Sequence, residues 1–90
     1  MITAQATVRN EYGIHCRPSA VIVKESQKYL GKIEILNGDG QVADAKSMLA
    51  LIGLGLACGS TVTIRIEGPD EEAACRRLIE LFETEFDFPR

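Results

Sequence analysis

Ile2, Ala4, Ala6 and Val8 alternate with Thr3, Gln5, Thr7 and Arg9. A period of two puts one set on a buried face and the other in water, so the chain opens on a half-buried strand. Residues 10–13 read as a loop. From about 16 to 30 the pattern turns helical, with Pro18 in the first turn, where a missing N–H costs nothing. Gly31 is placed to end that helix. Ile33 and Ile35 alternate with Lys32 and Glu34 in a second strand. The turn cluster Asn37-Gly38-Asp39-Gly40 and a return strand over 41–43 complete a hairpin. Ser47 precedes an apolar run and suits the N-cap of a short helix, which Gly53 and Gly55 weaken. Residues 61–67 form the clearest strand, with Val62, Ile64 and Ile66 facing one way. Gly68-Pro69-Asp70 breaks it. A last helix runs from 70 to about 86, with Cys75, Leu78, Ile79, Phe82 and Phe86 on one face and Glu71, Glu72, Arg76 and Glu80 on the other.

The order βαββαβα predicts an α+β fold: one four-stranded sheet with three helices on a single face and right-handed crossovers. Ninety residues suffice for a single domain over 1–90 and one modest core. At 46% hydrophobic and 26% charged residues the composition is globular, and a net charge of −3 argues against nucleic acid as a partner. Cys16, Cys58 and Cys75 are odd in number and widely spaced, which fits reduced thiols rather than a disulfide framework or a zinc site. No metal and no cofactor are expected. The N-terminal residues lack a signal-peptide pattern, and the longest apolar stretch, 48–58, is too short to insert into a membrane. The expected location is the cytoplasm.

His15, the one histidine, changes this picture. It stands just before a helix whose first turn holds Arg17 and Pro18, where Ser, Thr, Asp or Asn would cap better. The first N–H groups of a helix point outward at the positive end of its dipole and form a ready anion site. The same potential disfavours imidazolium, leaving His15 neutral with a lone pair for attack. A phosphoryl group on its ring would meet those N–H groups and the Arg17 guanidinium. A surface histidine beside a loop is the plainer alternative.

The segments GIHCRPSA (13–20), AKSMLALIGLGLACG (45–59) and TVTIRIEGPDEEAA (61–74) together resemble the HPr family, the histidine-phosphorylatable phosphocarriers of the bacterial phosphoenolpyruvate phosphotransferase system. The resemblance covers nearly the whole chain in order and spacing. It implies an open-faced β-sandwich of four antiparallel strands with three helices. It also implies that His15 accepts phosphate on Nδ1 from phosphorylated enzyme I and passes it to an enzyme IIA domain, with Arg17 stabilising the phosphate. Such a protein is a carrier rather than an enzyme, and a monomer is the default.

Ser47 matches the family's regulatory serine, the target of HPr kinase/phosphorylase, and this is compatible with its capping role. Cys16, Ala20 and Lys24 of the first helix, with Met48, Leu49 and Ile52 of the second, are implied to form one docking face for enzyme I and enzyme IIA. Cys16 stands where alanine or threonine is usual, either as a tolerated small residue or as an oxidisable thiol at a helix N-terminus. The loop 37–40 and the ending LFETEFD resemble the nitrogen-system paralogue NPr, while Lys46-Ser47 does not. The sugar and nitrogen branches both stay open. A regulatory binding module working mainly through Ser47 phosphorylation and docking is the alternative function.

Overall fold

The computed structural model describes residues 1–9 and 16–84, with Cys16 and Arg17 described by their backbone only. The elements are β1 (Ile2–Thr7), α1 (Cys16–Gln27), β2 (Lys32–Leu36), β3 (Val42–Asp44), α2 (Met48–Gly53), β4 (Thr61–Glu67) and α3 (Glu71–Phe82). This is the predicted order, and β4 has the predicted bounds. The strands form one antiparallel sheet in the order β1-β4-β2-β3.

The alternation of β4 explains its central place. Val62, Ile64 and Ile66 are fully buried, while Thr63 and Arg65 point to the opposite face. Their partners continue both surfaces: Ala6 and Ala4 on β1, and Ile33 and Ile35 on β2, lie on the apolar side. On the open face Arg65 pairs across strands with Glu34 at 2.9 Å. The helices supply Ile22, Leu51, Leu78 and Phe82 to the same core as the strand isoleucines Ile33, Ile35, Ile64 and Ile66. The helices therefore cover one face only. No described helix is long and apolar enough to cross a membrane.

Three boundaries differ from the sequence expectation. The return strand of the hairpin is 42–44 rather than 41–43. Asn37 absorbs the extra residue. Its carboxamide oxygen accepts from the N–H groups of Asp39 and Gln41, both at 3.0 Å, and its Nδ2 donates to the Leu54 carbonyl at 3.2 Å. Helix α1 stops at Gln27 instead of running to 30. The N–H groups of Lys28 and Tyr29 close tighter turns onto the carbonyls of Glu25 and Ser26. Helix α3 ends at Phe82 rather than near 86, with the Glu83 N–H on the Ile79 carbonyl. Phe86 lies outside the described residues. The Glu83 carboxylate accepts from the Thr7 N–H of the edge strand at 3.0 Å. Leu81 joins the buried face of α3, and Ile79 is only half-buried.

Gly31 is not a helix cap. It is a point of close approach between the α1–β2 and β4–α3 connections. A Cβ there would collide with the Glu67 carbonyl oxygen and lie 2.8 Å from the Gly68 Cα and 2.7 Å from the Tyr29 ring. The Tyr29 hydroxyl is enclosed without a hydrogen-bond partner. Burial pushes its phenol pKa up, and the nearby Glu71 and Asp70 charges push the same way.

Asp70, the residue before α3, is left-handed at φ 51° and makes no side-chain cap bond. Glu71, the first residue of α3, instead ties the helix back to the connection before it, accepting from the Gly68 N–H at 3.0 Å. It is therefore not on the free solvent face that the helical pattern assigned to it. That bond is the main cause holding its carboxyl below the ordinary glutamate value. Partial desolvation opposes it, and the Met1 amine at 3.3 Å assists.

Two outcomes follow from these junctions. Gly31→Ala is expected to lower stability by about 1–3 kcal/mol, because backbone rather than a movable side chain meets the new methyl; urea unfolding measures it. The Glu71 carboxyl is depressed in the folded state, so its stabilisation is complete above the unfolded value and lost as pH falls through the folded one. The stability gap between the native chain and Glu71→Gln is expected to hold at neutral pH, begin to shrink near the ordinary value of 4.5, and vanish in more acid solution. A gap independent of pH would contradict this assignment.

Candidate functional site

His15 lies outside the described residues; in the chain it directly precedes Cys16, the first residue of α1. The side chains of Cys16 and Arg17 lie outside them too. Pro18 and Ser19 are buried in the first turn of α1, anchoring it against the core. Ala20 and Lys24, four residues apart, are exposed on one ridge of the helix. Gln27 continues that ridge by a further turn.

Helix α2 has only six residues, too few to persist in water alone. Three features hold it. Leu51 is fully buried, and burying a leucine side chain contributes about 1.5–3 kcal/mol. Leu54 closes the C-terminal turn from within the core. Ser47 is the N-cap, as the sequence predicts: its backbone is extended, and its hydroxyl accepts from the Ala50 N–H at 3.3 Å.

The turn before Ser47 is fixed by Asp44. Its carboxylate accepts from the Lys46 N–H at 2.9 Å, and its carbonyl accepts from the Ser47 N–H at 2.9 Å. The Lys46 ammonium donates to the carbonyls of Tyr29 at 2.8 Å and Gly31 at 2.9 Å. In return, Gln27 Nε2 donates to the Lys46 carbonyl at 3.3 Å. In the sequence Lys46 stands out only as part of the Lys46-Ser47 motif, and Gln27 carries no signal. The Asp44-x-Lys46 spacing carries a local turn signal, whereas contacts 15 to 19 residues apart leave none.

With Leu51 and Leu54 turned inward, α2 presents its remaining apolar residues outward. Leu49 is 86% exposed, Met48 37% and Ile52 36%. Their spacing makes them neighbours on the helix surface. Helices α1 and α2 pack against each other, so the ridge of Ala20 and Lys24 and this apolar group belong to adjoining helices. Exposed apolar clusters on a small protein mark contact with other molecules.

The cysteines divide clearly. Cys58 is exposed in the turn before β4, while Cys75 is buried in α3, where desolvation pushes its thiol pKa up. Among the described residues no group of three or more His, Cys, Asp or Glu side chains is placed to hold a metal ion.

Comparison with known proteins gives this architecture its class. A family model described as the PTS HPr component phosphorylation site matches residues 2–84. The chain is 33% identical over 87 residues to the phosphocarrier protein HPr of Treponema pallidum, covering 97% of this chain and 98% of that one. It is 35% identical over 85 residues to the HPr-like protein Crh of Halalkalibacterium halodurans, covering 94% and 100%. It is 41% identical over 78 residues to the multiphosphoryl transfer protein of Vibrio cholerae, covering 84% of this chain but only 20% of that longer protein. Among solved structures, the phosphocarrier protein HPr from Bacillus anthracis superposes with a TM-score of 0.86 at 30% identity, covering 91% of this chain and 96% of that one. Fold and sequence together define a phosphocarrier of the bacterial phosphotransferase system. The chain belongs to the HPr family.

Replacing the α2 cap tests the local account. Ser47→Ala is expected to cost about 1 kcal/mol, seen as a lower urea midpoint at unchanged slope. Ser47→Asp retains an acceptor at the same place and is expected to keep most of that stability.

Proposed function

We propose that this chain is a monomeric cytoplasmic carrier, one domain over 1–90, that takes a phosphoryl group on His15 Nδ1 from phosphorylated enzyme I and delivers it to enzyme IIA domains. The observation that carries this reading is the family match over 2–84, which includes His15-Cys16-Arg17-Pro18 at the opening of α1. In the transfer, the Nδ1 lone pair attacks phosphorus and the bond from phosphorus to enzyme I breaks; His15 directly precedes a twelve-residue helix in the chain, and a helix N-terminus favours negative charge. Arg17 supplies a guanidinium for the phosphate oxygens. Delivery to enzyme IIA repeats the exchange in the opposite sense, so the chain needs no turnover chemistry of its own. The exposed Ala20, Lys24, Met48, Leu49 and Ile52, with Cys16, serve as the surface on which both partners dock.

The similarity to Crh favours a second reading. In it, HPr kinase/phosphorylase places phosphate on Ser47 and the chain works as a regulatory binding module. Phosphate at a helix N-terminus is electrostatically tolerated, and it adds negative charge beside Met48 and Leu49.

Incubation with enzyme I, phosphoenolpyruvate and Mg²⁺ is expected to add one phosphoryl group that is labile in acid and stable in alkali. His15→Ala is expected to take none, and Arg17→Ala to label roughly 10- to 100-fold more slowly, as the loss of a charge-assisted hydrogen bond implies. Equal labelling of His15→Ala and the native chain would refute the carrier reading. An acid-stable phosphate on Ser47, without any transfer from enzyme I, would establish the regulatory one.

A further inference from the structure

We propose that Lys46 and Gln27 form a two-way clamp that sets α2 against α1 and so presents Ala20, Lys24, Met48, Leu49 and Ile52 as one docking surface. The inference rests on the reading of that surface given above and assigns it two positioning residues.

The clamp consists of hydrogen bonds that run in opposite directions between the same two segments. The Lys46 ammonium reaches back past the end of α1 to the Tyr29 and Gly31 carbonyls. The Gln27 carboxamide reaches forward from the last residue of α1 to the Lys46 carbonyl. Because α1 ends early, those two carbonyls have left the helix and stand free to accept the ammonium. Both bonds to the ammonium are partly buried, where charge-assisted bonds are stronger than in open water. Lys46 is also the residue immediately before the Ser47 cap, so fixing its backbone fixes the start of α2.

The position of α2 needs such a fixture. Six residues with one fully buried leucine resist displacement from the core but define the direction of the helix poorly. The clamp adds the missing restraint at its N-terminal end. Gln27 follows Ala20 and Lys24 at helical spacing, so the exposed ridge of α1 leads straight to the clamp and from there to Met48. The two halves of the surface are thereby held in one register, and a partner meets them already aligned. Preorganisation of this kind acts on binding and leaves the chemical step at His15 alone.

The test reads kcat and KM for phosphoryl transfer from phosphorylated enzyme I to Lys46→Met, Lys46→Arg and Gln27→Met, at a temperature where circular dichroism shows each folded. Amide chemical shifts of the same variants are recorded alongside. Lys46→Met is expected to raise KM about tenfold with kcat nearly unchanged, as loss of hydrogen bonds to a charged group implies. Lys46→Arg, which keeps a cationic donor, is expected to recover most of the loss. Gln27→Met is expected to raise KM about threefold with no change in charge, which separates alignment from simple charge loss. Amide shifts are expected to move on the exposed faces of both helices. A KM unchanged in folded Lys46→Met or in Gln27→Met, even beside a lowered melting temperature, overturns the proposal, as does a fall in kcat at constant KM. Should Lys46→Met fail to fold, Gln27→Met decides. If the native chain accepts no phosphoryl group at all, the carrier reading fails instead. The shifts then decide: changes at both Ala20 and Leu49 sustain the clamp, and changes confined to 44–48 overturn it.

Discussion

Because the sheet has a single apolar face, the register of β4 governs most of the molecule. Ile64 and Ile66 each pair with both β1 and β2, and Val62 pairs with Ala6 of β1. A slip of one position would turn all three side chains into water and bring Thr63 and Arg65 into the core. The cross-strand Arg65–Glu34 pair on the open face fits only the native register. With that register set, the chain has one surface to cover and three amphipathic helices with which to cover it.

The connections carry the finer constraints. The β4–α3 turn passes so close to the α1–β2 connection that Gly31 has no room for a side chain, and the Tyr29 ring seals the junction. Glu71 ties the start of α3 to Gly68 at the same place. On the other side of Tyr29, its carbonyl accepts the Lys46 ammonium, which links the junction to the start of α2. The apolar group on α2 and the exposed ridge of α1 are thus supported from beneath by the segment that also joins the helices to the sheet. A six-residue helix can display Leu49 to solvent because its position is secured by neighbours rather than by its own length.

Much of this was legible from periodicity. The bounds of β4, the inward face of β1 and the capping role of Ser47 all follow from local pattern, since each depends on residues within a few positions. The misjudged features depend on distant ones. Gly31 looked like a helix cap because glycine after a helical run usually is one, and only the fold shows Glu67 and Gly68 crossing it. Glu71 looked solvated because its neighbours on the helix are. For Lys46 and Gln27 no spacing rule joins residues so far apart. The family was legible through GIHCRPSA and AKSMLALIGLGLACG. The inward turn of Leu51 and the outward turn of Leu49 followed only once α2 had been placed on the core.

Glu83, at the end of α3, has a bearing on how the protein behaves among its own copies. Strand β1 lies at the margin of the sheet, where backbone donors that face outward invite another strand. The outward Thr7 amide already donates to the Glu83 carboxylate. A second chain approaching that end of β1 finds a negative charge in place of a free donor. For a carrier whose encounters must be brief, the same helix end that completes the core also discourages an association that would not let go.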